Sequence, residues 1–322
     1  MNSELKTSSS IILVTGAGGW LGSELTKQLL EQGNKVRALN FNETESLKEL
    51  KAKYGEKLEI VLGDICNTEI VDNTMKQVDV VYHLAAKVHC VPTNKEEEEA
   101  FYKVNADASK NIFEKALENN VKRIIFFSTV SVYKQSNEII TTNSIKEPNT
   151  AYGKSKLEAE NIANKLHKER QLPITIIEPV TVYGEGDVGN FRKIESLIKK
   201  GICVRFGKGE NKKTVIYYKD LIKMVMQIAN DETTIGKTII CGTEVLTLNQ
   251  INGILIKKAN RRVCKIYIPI TLSKFIMRIC NFFIFKKIKR KIMALTQNSE
   301  FKLEYKIKKY TKFEDYELKE RQ

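Results

Sequence analysis

Residues Ser10–Ser23 read SIILVTGAGGWLGS: an apolar strand runs directly into Gly16, Gly19 and Gly22, and an amphipathic helix follows. Few folds accommodate that succession. The first glycine permits a tight turn, the second lets backbone approach a pyrophosphate, and the third lets helix and strand pack closely. The helix start then offers N–H groups and the positive end of its dipole to phosphate oxygens. With strand before and helix after, the turn predicts a dinucleotide site in which Gly16, Gly19, Trp20, Leu21 and Gly22 line the cofactor.

The rest of the chain repeats this alternation. Nearly continuous apolar runs at Ile11–Thr15, Lys35–Asn40, Leu58–Leu62, Val78–Leu84, Arg123–Ser128, Ile174–Glu178 and Thr238–Cys241 suit parallel strands buried on both faces. Amphipathic stretches lie between them at Trp20–Gln32, Thr44–Tyr54, Glu97–Asn119, Tyr152–Lys168 and Tyr217–Ala229. The fold class predicted is α/β, a Rossmann-type doubly wound parallel sheet with a smaller C-terminal substrate-binding lobe. The dinucleotide-binding domain is expected over 1–182, with strand 238–241 returning to it, and the lobe over most of 183–322.

Two further segments supply chemistry. The second strand ends in Asn40, where an acid would accept ribose hydroxyls and an arginine would hold a 2′-phosphate. Asn40 does neither decisively, so the residues lean to NAD without excluding NADP. Residues Ala151–Lys156 read AYGKSK and open a long helix, with Tyr152 and Lys156 four apart on one face. A lysine ammonium beside a phenol favours the phenolate, and a tyrosine titrating nearer neutrality can exchange a proton with a hydroxyl or ketone.

The G-x-x-G-x-x-G spacing, the tyrosine–lysine pair and the FFSTVSVY segment at Phe126–Tyr133 together resemble the extended short-chain dehydrogenase/reductase family, in register from Ile11 to Asp220. The resemblance implies that Thr129 holds the substrate oxygen and shares the proton with Tyr152. It implies that Asp64 and Ile65 contact adenine, with a helix N-cap as the plainer role for Asp64. It places Leu84, Ala85 and Ala86 along the cofactor, Asn105 among the cofactor-site residues at the position that holds the catalytic strand, and Pro179 and Val182 near the nicotinamide.

Within that family the details are similar to enzymes acting on nucleotide-activated sugars, in particular 4-epimerases and 4-keto reductases of surface-polysaccharide pathways. Val88, Thr129 and Thr181 would then face the sugar, and Asn190 and Lys213 its diphosphate. Lys213 stands where the family usually has arginine, and a lysine lacks the bidentate fork. Thr181 stands where epimerases often have Asn, and Glu178 where many members have Arg. Sugar 4,6-dehydratases carry Asp-Glu after the catalytic threonine. Val130 and Ser131 occupy those places here, which disfavours dehydration. A nucleotide-sugar 4-epimerase is the leading expectation, a 4-keto-sugar reductase the second. A steroid- or flavonoid-type hydroxyl dehydrogenase would share the tyrosine–lysine machinery, and a non-catalytic NAD(P)- or RNA-binding relative is the reading of a different class.

Composition bears on partners. The chain has 322 residues and a formal net charge of +14, and twelve Lys or Arg fall between Val245 and Ser299 with no Asp or Glu. Phosphate-bearing small molecules, anionic lipid and nucleic acid all attract such charge. Within this stretch 272–292 has apolar residues at helical spacing and cations towards its end. It reads as a helix packed on the lobe or, more sharply, as a peripheral contact with anionic membrane. The six scattered cysteines and three histidines make no ligand cluster, so no metal is expected and the thiols suit a reducing compartment. A cytoplasmic homodimer acting on a nucleotide sugar, with no nucleic-acid partner, is the expectation.

Overall fold

A computed structural model describes residues 10–88, 90–187, 190–269, 271–272 and 296–316. Of the segment 272–292 that carries the membrane expectation, all but Leu272 lies outside the described residues.

The first strands and helices follow the glycine turn in strict alternation: β1 (Ile11–Thr15), α1 (Trp20–Glu31), β2 (Lys35–Asn40), α2 (Glu45–Tyr54), β3 (Leu58–Leu62), α3 (Thr68–Met75) and β4 (Val78–His83). Then come α4 (Lys95–Tyr102), a π-helical turn (Lys103–Asp107), α5 (Ala108–Glu118), β5 (Arg123–Phe127), α6 (Ala151–Arg170) and β6 (Ile174–Pro179). The rest comprises β7 (Thr181–Tyr183), α7 (Asn190–Lys199), β8 (Ile202–Phe206), β9 (Lys212–Tyr217), α8 (Tyr218–Ala229), β10 (Thr238–Cys241), β11 (Glu244–Thr247), α9 (Leu248–Ala259) and β12 (Cys264–Ile268). The apolar strand runs were legible to within a residue. The single helix expected over Glu97–Asn119 is instead α4 and α5 joined through the π-helical turn, and a turn of that kind commonly marks a functional position.

Among the described residues seven strands form one sheet in the order β3-β2-β1-β4-β5-β6-β10. The pairs β2–β3, β1–β2, β1–β4, β4–β5 and β5–β6 are all parallel. Alternate side chains of these strands point to opposite faces. On one face Leu13, Val81, Ile124, Phe126 and Ile176 pack with Ile112 and Phe113 of α5 and Ala159, Ala163 and Leu166 of α6. Strand order reverses between β1 and β4, and ligands of open parallel sheets bind at the carboxyl ends of strands at such a switch.

The chain divides into two compact units, and the expected boundary at 182/183 is replaced by a more interleaved one. The first unit holds residues up to 134, 145–179 and 222–239; the second holds 135–144, 180–221 and the chain from 240 onward. Most of α8 therefore belongs to the first unit. Its Ile222, Val225 and Ile228 are buried, and Arg123 at the start of β5 donates to the carbonyls of Ile228 and Ala229 at its end (2.8 and 3.1 Å). A buried cation on the last carbonyls of a helix satisfies acceptors that the helix leaves open.

The second unit has a three-stranded sheet, β7-β9-β11, and a two-stranded parallel pair, β8 and β12. Its core is aromatic: Tyr183, Phe191, Tyr217, Phe313 and Tyr316 pack edge-on or tilted at 4.7–6.4 Å between centroids. Among the described residues no helix is long and apolar enough to cross a membrane.

Candidate active site

The glycine turn leaves β1 at the switch point and lies against the end of β4. Gly16 has φ +69°, and a side chain there would meet the Ala85 backbone nitrogen at 2.8 Å. A Cβ on Gly22 would run into the Gly16 carbonyl, so the third glycine is needed for the turn to close on its helix. Asn67 caps α3, Asn94 caps α4, Thr44 caps α2 and Thr150 caps α6, each with its side chain. α1 instead starts at exposed Gly19 with no side-chain cap. A helix start with backbone donors, no capping side chain and no Cβ in the approach suits the diphosphate of a dinucleotide.

Asn40 at the end of β2 is tied into this turn. Its Oδ1 accepts from the Gly18 N–H (3.1 Å) and its Nδ2 donates to the Asn42 carbonyl (2.6 Å). Gly18 was not singled out in the sequence, yet a Cβ on it would strike the Asn40 amide and Thr44. Arg37 on the same strand is committed to Glu59 and to the carbonyls of Thr74 and Lys76, and is not held for a 2′-phosphate.

Asp64 accepts from the Cys66 N–H (2.9 Å) and Ile65 is buried. The helix N-cap considered for Asp64 falls to Asn67 instead, whose Oδ1 receives the N–H groups of Glu69 and Ile70.

β4 ends in a directional hydrogen-bond chain. The Ala85 N–H donates to Thr15 Oγ1, which pairs with His83 Nδ1 (2.7 Å), while His83 Nε2 pairs with Ser109 Oγ (2.8 Å) and Ser109 donates to the Asn105 carbonyl (2.7 Å). Because Ser109 spends its proton on that carbonyl, Nε2 carries the imidazole hydrogen and Nδ1 accepts. Burial, with the nearby Lys156 charge second, pushes His83 down to about 3, so it stays neutral. A neutral, doubly bonded histidine holds Leu84, Ala85 and Ala86 in place beside the glycine turn.

Asn105, expected among the cofactor-site residues, lies in the π-helical turn and has no exposed surface. Its Oδ1 accepts from the Lys87 N–H (2.7 Å), and its Nδ2 donates to the Lys87 carbonyl (3.1 Å) and Ser155 Oγ (3.0 Å). It ties the β4 extension to α6. Of the two roles carried by the resemblance, the positioning one fits this geometry.

Thr129 follows β5 and caps a short 3₁₀ turn, Val130–Val132, through the Ser131 N–H (3.1 Å). Its hydroxyl donates to Ser131 Oγ (3.2 Å) and lies near enough to the Tyr152 phenol to act on its ionisation. Lys156, one helical turn beyond Tyr152, is buried, and its Nζ donates to the Phe127 carbonyl (2.7 Å) at the end of β5. Three groups from two elements thus converge at the carboxyl end of the sheet. The electrostatics differ from the sequence expectation. Burial pushes Tyr152 up to about 12, with only Thr129 acting to lower it. Burial brings Lys156 down to about 7, against the opposing pull of Glu160. The lysine points at a backbone carbonyl, and at the phenol burial outweighs Thr129, so the chain by itself does not favour phenolate.

A match to the NAD dependent epimerase/dehydratase family covers residues 12–242. The chain belongs to that family. Relatives include a UDP-glucose 4-epimerase of Vibrio cholerae, 29% identical over 67% of this chain and 65% of that one. The chain thus spans just under two thirds of that relative's length. An N-acetyl-alpha-D-glucosaminyl-diphospho-ditrans,octacis-undecaprenol 4-epimerase of Escherichia coli O157:H7 is 27% identical over 81% and 76%. Among solved structures, a UDP-glucuronic acid 4-epimerase from Bacillus cereus superposes with a TM-score of 0.71 at 24% identity, over 80% of this chain and 86% of that one, which establishes the shared fold.

The remaining expected positions of this epimerase/dehydratase-family chain are spread over both units. Val88, just past β4, is partly exposed, and Pro179 closes β6 in the first unit. Thr181 and Val182 lie in β7 of the second unit, where both are half-buried. Asn190 is the first residue of α7; its side chain lies outside the described residues. Lys213 in β9 is buried and donates to the Gln297 carbonyl (2.8 Å) and Ser299 Oγ (3.2 Å), and burial lowers it to about 8. Two of its three N–H groups are therefore spent inside its own unit.

Proposed function

We propose that this chain interconverts epimers at C4 of a nucleotide-activated sugar, in the assembly of a surface polysaccharide. The observation that carries the reading is the Thr129–Tyr152–Lys156 convergence at the carboxyl end of β5, in the same parallel sheet whose β1 leads into the uncapped start of α1. The names of the two curated relatives, both 4-epimerases, support the position acted upon.

Gly16, Gly19, Trp20, Leu21 and Gly22 would hold the dinucleotide phosphates, Asn40 the adenosine ribose, and Asp64 and Ile65 the adenine. Leu84, Ala85, Ala86, Pro179 and Val182 would line its nicotinamide half. Bound NAD supplies a hydride acceptor that takes hydrogen from C4 and later returns it. Tyr152 Oη removes the 4-hydroxyl proton in the first half and gives it back in the second. Thr129 Oγ1 would hold the same oxygen, and Lys156, held on the Phe127 carbonyl, would add the positive charge that favours phenolate only once a dinucleotide is bound beside it. The family resemblance would assign Val88 and Thr181 to the sugar, and Asn190 and Lys213 to its diphosphate. Val130 and Ser131 offer no acid–base pair for eliminating water, which disfavours dehydration.

Purified protein incubated without added cofactor is expected to convert UDP-glucose, UDP-N-acetylglucosamine, UDP-glucuronic acid or the undecaprenyl-diphosphate-linked sugar into its C4 epimer, followed by chromatography and proton NMR. Consumption of NADH by a UDP-4-keto sugar with no epimer formed would replace the epimerase reading with a reductase. Turnover of a steroid alcohol alone would overturn both.

A further inference from the structure

Beneath the Thr129 turn lies a buried polar cluster that the chemistry above does not use. Ser128, the residue before Thr129, donates to Glu160 Oε1 on α6. Tyr133, the residue after the 3₁₀ turn, donates to Glu178 Oε2 on β6 (2.6 Å). Lys146, from the segment entering α6, donates to Glu160 Oε2 and to Glu178 Oε1 (2.7 Å), and its ammonium lies 5.2 Å from the Tyr133 ring centroid. Each of the four carboxylate oxygens thereby receives one donor. Glu160 and Glu178 are 1% and 0% exposed, so neither charge is relieved by water.

Two buried carboxylates this close repel each other unless a cation lies between them. The turn Thr129–Val132 is thus clamped on both flanks, and Lys146 joins the two clamps. We propose that Lys146 is a positioning residue: by bridging Glu160 and Glu178 it holds Ser128 and Tyr133, and the charge balance of this cluster sets the order of the turn that presents Thr129 to Tyr152. Burial and the Glu160 charge together hold Glu178 well above the usual carboxylate range, as expected where two acids share one base. Lys146, although burial works against its charge, is held above its ordinary value by Glu178 and Glu160. The charged groups facing the pair are Lys146 from the entering segment and, further along α6, Lys156, with Tyr133 the remaining titratable partner.

That the turn serves proton transfer rests on the function proposed above; the clamp does not, and the test separates them. Backbone hydrogen exchange at pH 7 of a peptide spanning 128–133 reads the turn directly, through the N–H groups of Ser131, Val132 and Tyr133 that it bonds. Lys146→Met is expected to speed exchange there at least tenfold and leave the glycine-turn peptide unchanged. Lys146→Met combined with Glu178→Gln removes the cation together with one of the two acids it bridges and is expected to restore protection, as is Lys146→Arg alone. If turnover is found, Lys146→Met lowers kcat with KM nearly unchanged, and the double variant recovers most of it. A packing role alone would give no rescue by Glu178→Gln. Unchanged exchange in Lys146→Met, or a double variant as unprotected as the single, overturns the proposal. Should Lys146→Met fail to fold, the double variant must still fold with a protected turn; an unprotected turn there overturns it equally. Expected exchange in a protein inactive on every sugar would remove the proposed function and leave the clamp standing.

Discussion

Tyr152 and Lys156 are four residues apart on one helix, yet their surroundings give them opposite problems. Burial raises the phenol to about 12, which a proton acceptor must overcome, and lowers the ammonium to about 7. Replacing Tyr152 by Phe removes the acid–base group and is expected to cut turnover about 10²–10⁴-fold. NADH binding, read by fluorescence, should stay within about twofold, because the glycine turn is untouched. The lysine makes a prediction about stability. Its folded value lies below its unfolded value of about 10.4, so between about pH 7 and 10 the unfolded chain binds more protons and stability rises with pH. Below pH 7 the cost of burying the charge is fully present. Lys156→Met loses the bond to the Phe127 carbonyl at every pH but escapes that cost. In urea melts the variant should therefore compare best with the parent chain below pH 7 and worst near pH 10. A gap independent of pH would show that Lys156 is not titrating in this window.

At the scale of elements, the site is assembled by joints that no single element contains. The π-helical turn between α4 and α5 aims Asn105 at the Lys87 backbone on one side and at Ser155 on the other. Asn105→Ala would remove the side-chain partner of the partly buried N–H and C=O of Lys87, a cost of about 1–3 kcal/mol. Chemical denaturation is expected to show a loss of that size, and Asn105→Asp, which keeps the acceptor, a smaller one; equal losses would mean that the Lys87 N–H is satisfied another way. The strands around this joint were plain from sequence, since a run such as Ile124–Phe127 is apolar on both faces. The joint was not, because π-helical insertion changes the direction of one asparagine without changing the apolar period around it. The acid Glu178 in an otherwise apolar strand was a usable signal of a buried partner; Lys146, in a loop, carried none.

Over the whole molecule, the second unit draws its core from distant parts of the chain. Phe313 is 1% exposed and packs on Tyr183, Phe191 and Tyr316, while its N–H donates to Glu244 (2.7 Å). Phe313→Ala is expected to cost about 3–5 kcal/mol and to appear as faster hydrogen exchange across β7 and β9, with β1 and β4 unaffected. Uniform acceleration would mean instead that the two units unfold together. Local order in the chain determined the Gly16–Gly22 turn, the parallel strands and the spacing of Tyr152 and Lys156, because each depends on steric freedom or periodicity within a few neighbouring residues. Tertiary structure alone decided that residues 135–144 join the second unit while most of α8 joins the first, and that Asn105 is buried against the Lys87 backbone and Ser155. It also decided that burial sets Tyr152 and Lys156 against the ionisation their spacing suggests. Those outcomes depend on which groups lose contact with water, and desolvation is a property of the packed chain that no short stretch of sequence carries.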